Sequence, residues 1–114
     1  MKGLLWFIGA GLSILQIIIG NLMIFYGISS LLLSFHVLIP ILILLIIIYG
    51  YRKVKSGVEK RILMGNLGLL IITGILGYFI YFTGNPILSV IHLILALGLV
   101  SNFSVLYGFE WQQM

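Results

Sequence analysis

Cysteine is missing from this chain of 114 residues. That excludes disulfides, thiolate metal sites, iron–sulfur clusters and cysteine nucleophiles. Charge is nearly missing too: charged types make up 7% of the chain, where a soluble domain carries about 25%. Apolar types make up 62%, more than one small soluble core could hide. A soluble enzyme is therefore excluded, and so is a disordered chain, which needs the opposite balance. The remaining solvent is the lipid bilayer. A hydrocarbon slab about 30 Å thick takes helices of roughly 20 residues, so four crossings with their loops nearly exhaust the length and leave no room for a second domain.

Four apolar runs meet that requirement, at 3–27, 31–50, 62–82 and 87–108. Turn residues separate them: Gly27-Ile28-Ser29-Ser30, a polar break from Tyr51 to Arg61, and Thr83-Gly84-Asn85-Pro86. The expected fold is an all-α membrane protein, a four-transmembrane-helix up-down bundle. The first run is too long for a signal-peptide core and lacks a small-x-small cleavage site, so it reads as a retained helix.

The basic residues are Lys2, Arg52, Lys53, Lys55, Lys60 and Arg61. Five fall in the middle break and one at the N-terminus. The positive-inside rule then places the middle loop and both termini in the cytoplasm, N-in and C-in, for a multi-pass protein of the plasma membrane. The basic loop is a topology signal with some attraction for anionic lipid; a nucleic-acid site would need far more basic surface. The two acids, Glu59 and Glu110, both fall at the cytoplasmic edge. No crossing carries a carboxylate, which removes the usual parts of a proton pump, a cation transporter or a two-carboxylate catalyst.

The halves of the chain resemble each other. Ile18-Ile19-Gly20 and Gly27 answer Ile75-Leu76-Gly77 and Gly84; His36 answers His92; Tyr49-Gly50-Tyr51 answers Tyr107-Gly108-Phe109. Both halves begin inside, cross outward and return. They would be parallel two-helix repeats about an axis along the membrane normal.

That axis would relate His36 to His92. Each lies about six residues into its helix from the outer end, roughly 8–9 Å below the outer boundary. In an up-down bundle the second and fourth helices are diagonally opposite, so the two imidazoles can face each other across the core. Apart from tyrosine phenols, they are the ionisable groups of the apolar runs, and such groups in membranes are usually functional. Two facing imidazoles make an axial pair for haem iron, one bis-histidine haem b. Zinc fits poorly, since nothing completes its tetrahedron, whereas a porphyrin brings its own four nitrogens. Gly20, Gly77 and Ala96 are small residues at or near the histidine level that would leave room for porphyrin edges. Pro40, four residues after His36, cannot donate to the His36 carbonyl and is expected to kink the second helix.

The alternative reading is packing. Membrane histidines often only hydrogen-bond, with Ser89 a ready partner for His92, and membrane glycines usually serve close helix contact. Ser13, Gln16, Asn21, Asn66, Thr73, Asn102 and Ser104 could bond between helices, and Gln16 and Asn21 could touch a quinone. Trp6, Tyr49, Tyr51, Tyr107 and Trp111 cluster near the inner boundary as an interfacial belt.

The segments Leu15 to Gly20 (LQIIIG), Phe35 to Lys53 (FHVLIPILILLIIIYGYRK) and Leu69 to Val100 (LLIITGILGYFIYFTGNPILSVIHLILALGLV) resemble one four-helix half of the haem A synthase family. Members carry two such bundles, and half-size versions carry one. The resemblance covers most of the chain, and its sharpest element is the histidine pair. It implies His36 and His92 as axial ligands of one haem near the outer face. The family's catalytic half has a glutamate three residues before the histidine of the second helix and an arginine directly after it; this chain has Leu33 and Val37. Haem propionates would also lack a cationic partner and would meet water, Asn85, Ser29, Ser30, Tyr26 or Tyr81.

Three functions are left. The first is a b-type haem protein for electron transfer in a respiratory or terminal-oxidase assembly. The second is a half-size haem A synthase-like enzyme, with a partner subunit supplying the missing carboxylate. The third is a cofactor-free structural subunit of a membrane complex. Partners are the bilayer and other respiratory membrane subunits or a second copy, with no nucleic acid.

Overall fold

A computed structural model describes residues 2–112. They form α1 (Lys2–Tyr26), α2 (Ser30–Lys53), α3 (Gly57–Thr83) and α4 (Pro86–Gln112). Each is long and apolar enough to cross a membrane, so the chain is built as a multi-pass membrane protein. Short connections make successive helices antiparallel. Each of α1 and α3 packs against both α2 and α4, leaving α1/α3 and α2/α4 as the diagonals of a four-helix bundle.

Helix ends follow local chemistry rather than the edges of the apolar runs. Val54 to Ser56 is all that remains of the expected middle loop. Arg52 and Lys53 lie in the last turn of α2, where cations suit the carbonyl end of the helix dipole. Ser56 caps α3 by accepting from Val58 N at 3.2 Å. The α1–α2 and α3–α4 turns are built alike. Gly27 and Gly84 both have positive φ (94° and 63°), and their N–H groups close onto the Met23 and Ile80 carbonyls at 3.0 and 2.7 Å. Ser29 Oγ then accepts from Leu32 N at 3.1 Å, and Asn85 Oδ1 from Ile87 N at 2.9 Å, starting α2 and α4. Pro86 opens α4, where its missing N–H costs nothing.

The bundle is apolar on both sides. Its interior holds Trp6, Ile43, Leu63, Phe103 and Leu106, with buried Ser13, Asn66 and Thr73. Its outer surface exposes Phe7, Ile24, Leu45, Ile75 and Ile94 among many others. Such a surface is stable only against lipid or another apolar partner.

The internal repeat extends to burial. Positions 57 apart on α1 and α3 pair buried Trp6 with Leu63 and buried Gly9 with Asn66. Positions 56 apart on α2 and α4 pair buried Ile43 with Leu99, Ile47 with Phe103 and Gly50 with Leu106. This register corrects one expectation. Gly50 is buried against Trp6, while Gly108 has open space where a Cβ would sit, so the two Tyr-Gly-aromatic tripeptides are not structural equivalents. The repeat is also imperfect in its seams. At α1–α4 the Phe103 ring fills the place of a Gly9 side chain. The corresponding α2–α3 seam is the loosest of the four and opens into an apolar groove of about 640 Å³ running past Pro40, Gly74 and Tyr78.

Candidate functional site

His36 and His92 stand at the same height, each six residues after the first residue of its helix. They come from diagonal helices and face across the core. Their ring centroids are 6.5 Å apart, with planes inclined at 53°. Both residues are half-buried, and both Nδ1 atoms are buried with no hydrogen-bond partner among the described residues.

Each ring rests on a glycine of the preceding helix. A Cβ on Gly20 would lie 3.2 Å from His36 Cε1, and one on Gly77 would lie 3.4 Å from His92 Cε1. The space that the glycines leave is thus taken up by the imidazoles themselves. Gln16 and Thr73, each four residues before the glycine that supports the ring, are 57 positions apart in the repeat.

Pro40 lies within a continuous helix. It leaves the His36 carbonyl without its ladder donor. The Gln16 side chain supplies one from the neighbouring helix: its Nε2 donates to the His36 carbonyl at 2.8 Å. Gln16 is therefore tied to α2 backbone. Ala96 is buried one turn below His92, at the position that answers Pro40.

Two imidazoles that share one metal ion between them have a characteristic spacing. A metal–imidazole nitrogen bond is about 2.0–2.1 Å, so two trans ligands have nitrogens about 4 Å apart and ring centroids about 6–6.5 Å apart. The observed 6.5 Å falls at that separation. The donor set is two nitrogens and nothing more: among the described residues no group of three His, Cys, Asp or Glu gathers to hold a bare metal ion.

Several sequence expectations change here. Ser89 does not serve His92; its Oγ donates to the Asn85 carbonyl at 3.3 Å. Asn21 and Ser104 are exposed on the outer faces of their helices. Trp6 is not a belt residue. It is fully buried, its ring sits where a Gly50 side chain would be, and it stacks on Phe103 with centroids 6.4 Å apart. The remaining aromatics do lie outside, and Lys53 and Lys60 sit over the Tyr49 and Tyr51 rings at 5.5 and 5.4 Å. Ser29 and Asn85 are both occupied as caps.

Two features escaped the sequence reading. Glu59 is buried in the first turn of α3 rather than at a wet edge. Ser56-Gly57-Val58-Glu59 has the form of a capping box, a signal that could have placed the helix start at Gly57 rather than at Ile62, though not the burial of the carboxylate. Gln16 does bond between helices, as its sequence position allowed, but its partner was missed, although a proline four residues after His36 announced an orphan carbonyl. No protein-family model, curated protein or solved structure matches the chain.

Proposed function

We propose that this protein is a b-type haem protein of the membrane, with His36 and His92 as the two axial ligands, serving electron transfer. The observation that carries the reading is the separation of 6.5 Å between two imidazoles on diagonal helices. It is supported by the matched glycine supports at Gly20 and Gly77 and by the unpartnered Nδ1 atoms. A bis-histidine haem supplies one-electron chemistry with both axial positions filled. The protein's part would be to hold two rings at one height, each against its glycine support at Gly20 or Gly77.

The reading also places the chain beside one half of the haem A synthase family, in haem binding rather than in chemistry. Leu33 and Val37 stand where the family's catalytic half has its acid and base, which argues against the synthase reading. The clustering of Arg52, Lys53, Lys55, Lys60 and Arg61 supports an N-in, C-in orientation in the plasma membrane, with the histidines toward the outer face. Electron transfer at that depth calls for a partner, and a respiratory assembly is the natural one.

The test is a visible spectrum of protein purified after expression with haem supplied. A Soret band and a pyridine haemochrome of the b type are expected, and His92→Leu should abolish the low-spin bis-histidine spectrum. Haem-free protein under those conditions would overturn the reading.

A further inference from the structure

Two exchanges between the halves of the repeat occur together. Gln16 answers Thr73, and Pro40 answers Ala96. In the first half, Pro40 withdraws the N–H that would close onto the His36 carbonyl, and the Gln16 amide supplies that bond from α1 at 2.8 Å. In the second half, Ala96 keeps its N–H four residues after His92 in an uninterrupted helix. There the position of Gln16 holds Thr73, whose Oγ1 donates within its own helix to the Leu70 carbonyl at 3.0 Å. The proline and the glutamine are thus halves of one device. One opens the helix ladder at a histidine, and the other closes it from the neighbouring helix.

We propose that Gln16 is a positioning residue for His36: it fixes the turn that carries the ring to α1, and so makes the two axial ligands mechanically unequal. His92 is carried by the ladder of its own helix alone. His36 is carried by a bond between helices, in a segment that Pro40 has loosened. Without Gln16 the His36 carbonyl is an orphan in an apolar interior, and the turn is free to rotate to find a donor. The ring would then swing relative to its Gly20 support, 3.2 Å away.

The inference rests on the haem reading for its spectroscopic consequence, and the experiment separates the two. Gln16→Leu, Pro40→Ala and the double variant are compared with the parent protein, each purified with haem. The measurements are the low-spin electron paramagnetic resonance signal, haem retention in detergent and the melting temperature of the haem-free bundle. Gln16→Leu should shift the signal and weaken haem retention roughly three- to tenfold, the range for losing one buried bond in a membrane bundle. Pro40→Ala restores the ladder donor, so the double variant should regain the parent signal and retention. Packing alone gives no reason for such a rescue. An unchanged signal in Gln16→Leu, or a double variant no better than the single one, overturns the proposal. A parent protein without a Soret band overturns the haem reading, and with it the ligand role; the bridge itself is then judged on melting temperature, which Gln16→Leu should lower and Pro40→Ala should restore.

Discussion

Gly20 lies under the Cε1 edge of His36, so that a methyl group added there would stand 3.2 Å from the ring. Gly77 holds His92 in the same way at 3.4 Å. The small difference has a consequence. A contact of 3.4 Å is ordinary, whereas one of 3.2 Å requires the ring to give, and the His36 turn is held by Gln16. Gly20→Ala should therefore destabilise the bundle by about 1 kcal/mol and disturb the low-spin signal, while Gly77→Ala stays close to the parent. Thermal unfolding in detergent, with the spectrum of the haem-loaded protein, checks both. Equal effects of the two variants would contradict this account of the site.

Trp6 and Gly50 form the tightest approach at the end of the bundle that carries the α2–α3 connection. Any Cβ on Gly50 would overlap the indole, and Trp6 has no solvent-facing side to retreat to. Gly50→Ala should cost about 1–3 kcal/mol, the usual range for overpacking. Gly11→Ala and Gly68→Ala meet nothing within 4 Å and should be neutral or slightly stabilising, since they remove only helix-interior glycine. A melting series over these variants decides it.

Much of this architecture is written plainly in the sequence. Hydropathy alone locates four crossings, and the up-down connectivity puts His36 and His92 on diagonal helices at one height. Their spacings from the turn glycines Gly27 and Gly84 differ by one residue, nine against eight, and the structure makes them equal at six residues from Ser30 and Pro86. What pattern could not supply is the sense of each face. All four helices are apolar all round, so periodicity does not separate lipid from core. Trp6 therefore reads as an interfacial residue yet lies in the interior, because the glycine that receives it sits on another helix. The same blindness hid the burial of Glu59 and the partner of Gln16. Both are contacts between segments far apart in the chain, set by packing rather than by local pattern.

Asn66 is fully buried, and neither its amide nitrogen nor its oxygen has a hydrogen-bond partner among the described residues. It answers Gly9, where the repeat places a glycine. A buried amide left unpaired costs about 1–3 kcal/mol, and an apolar residue of similar shape removes that cost. Asn66→Leu should therefore raise the melting temperature of the bundle without altering the histidine spectrum. A lower melting temperature would mean that the amide has a partner in the membrane-embedded protein.

Orientation is directly testable because the chain has no cysteine of its own. Single cysteines at Ser29 and Asn85 report on the α1–α2 and α3–α4 turns, and one at Lys55 on the basic loop. With the termini inside, a membrane-impermeant maleimide should label the first two in intact cells and reach Lys55→Cys only after lysis. Labelling of Lys55→Cys in intact cells would invert the topology and put the histidines near the inner face.

The pairing of Gln16 with Pro40 predicts that the device can be moved. Ala96→Pro alone should break the ladder at His92, with a loss of about 3 kcal/mol or more where no neighbour compensates. Thr73→Gln places an amide on α3 where Gln16 stands on α1, within reach of the His92 carbonyl if the repeat is as regular as its burial pattern. Thr73→Gln with Ala96→Pro should then be more stable than Ala96→Pro alone, and Thr73→Gln without the proline should gain nothing, because the carbonyl is already bonded. A double-mutant cycle on melting temperature reads the coupling directly. Additive effects would show that the α3–α4 pair does not reproduce the geometry of α1–α2 closely enough to exchange a hydrogen bond, and the twofold relation between the two histidines would then extend to their height but not to the backbone that carries them.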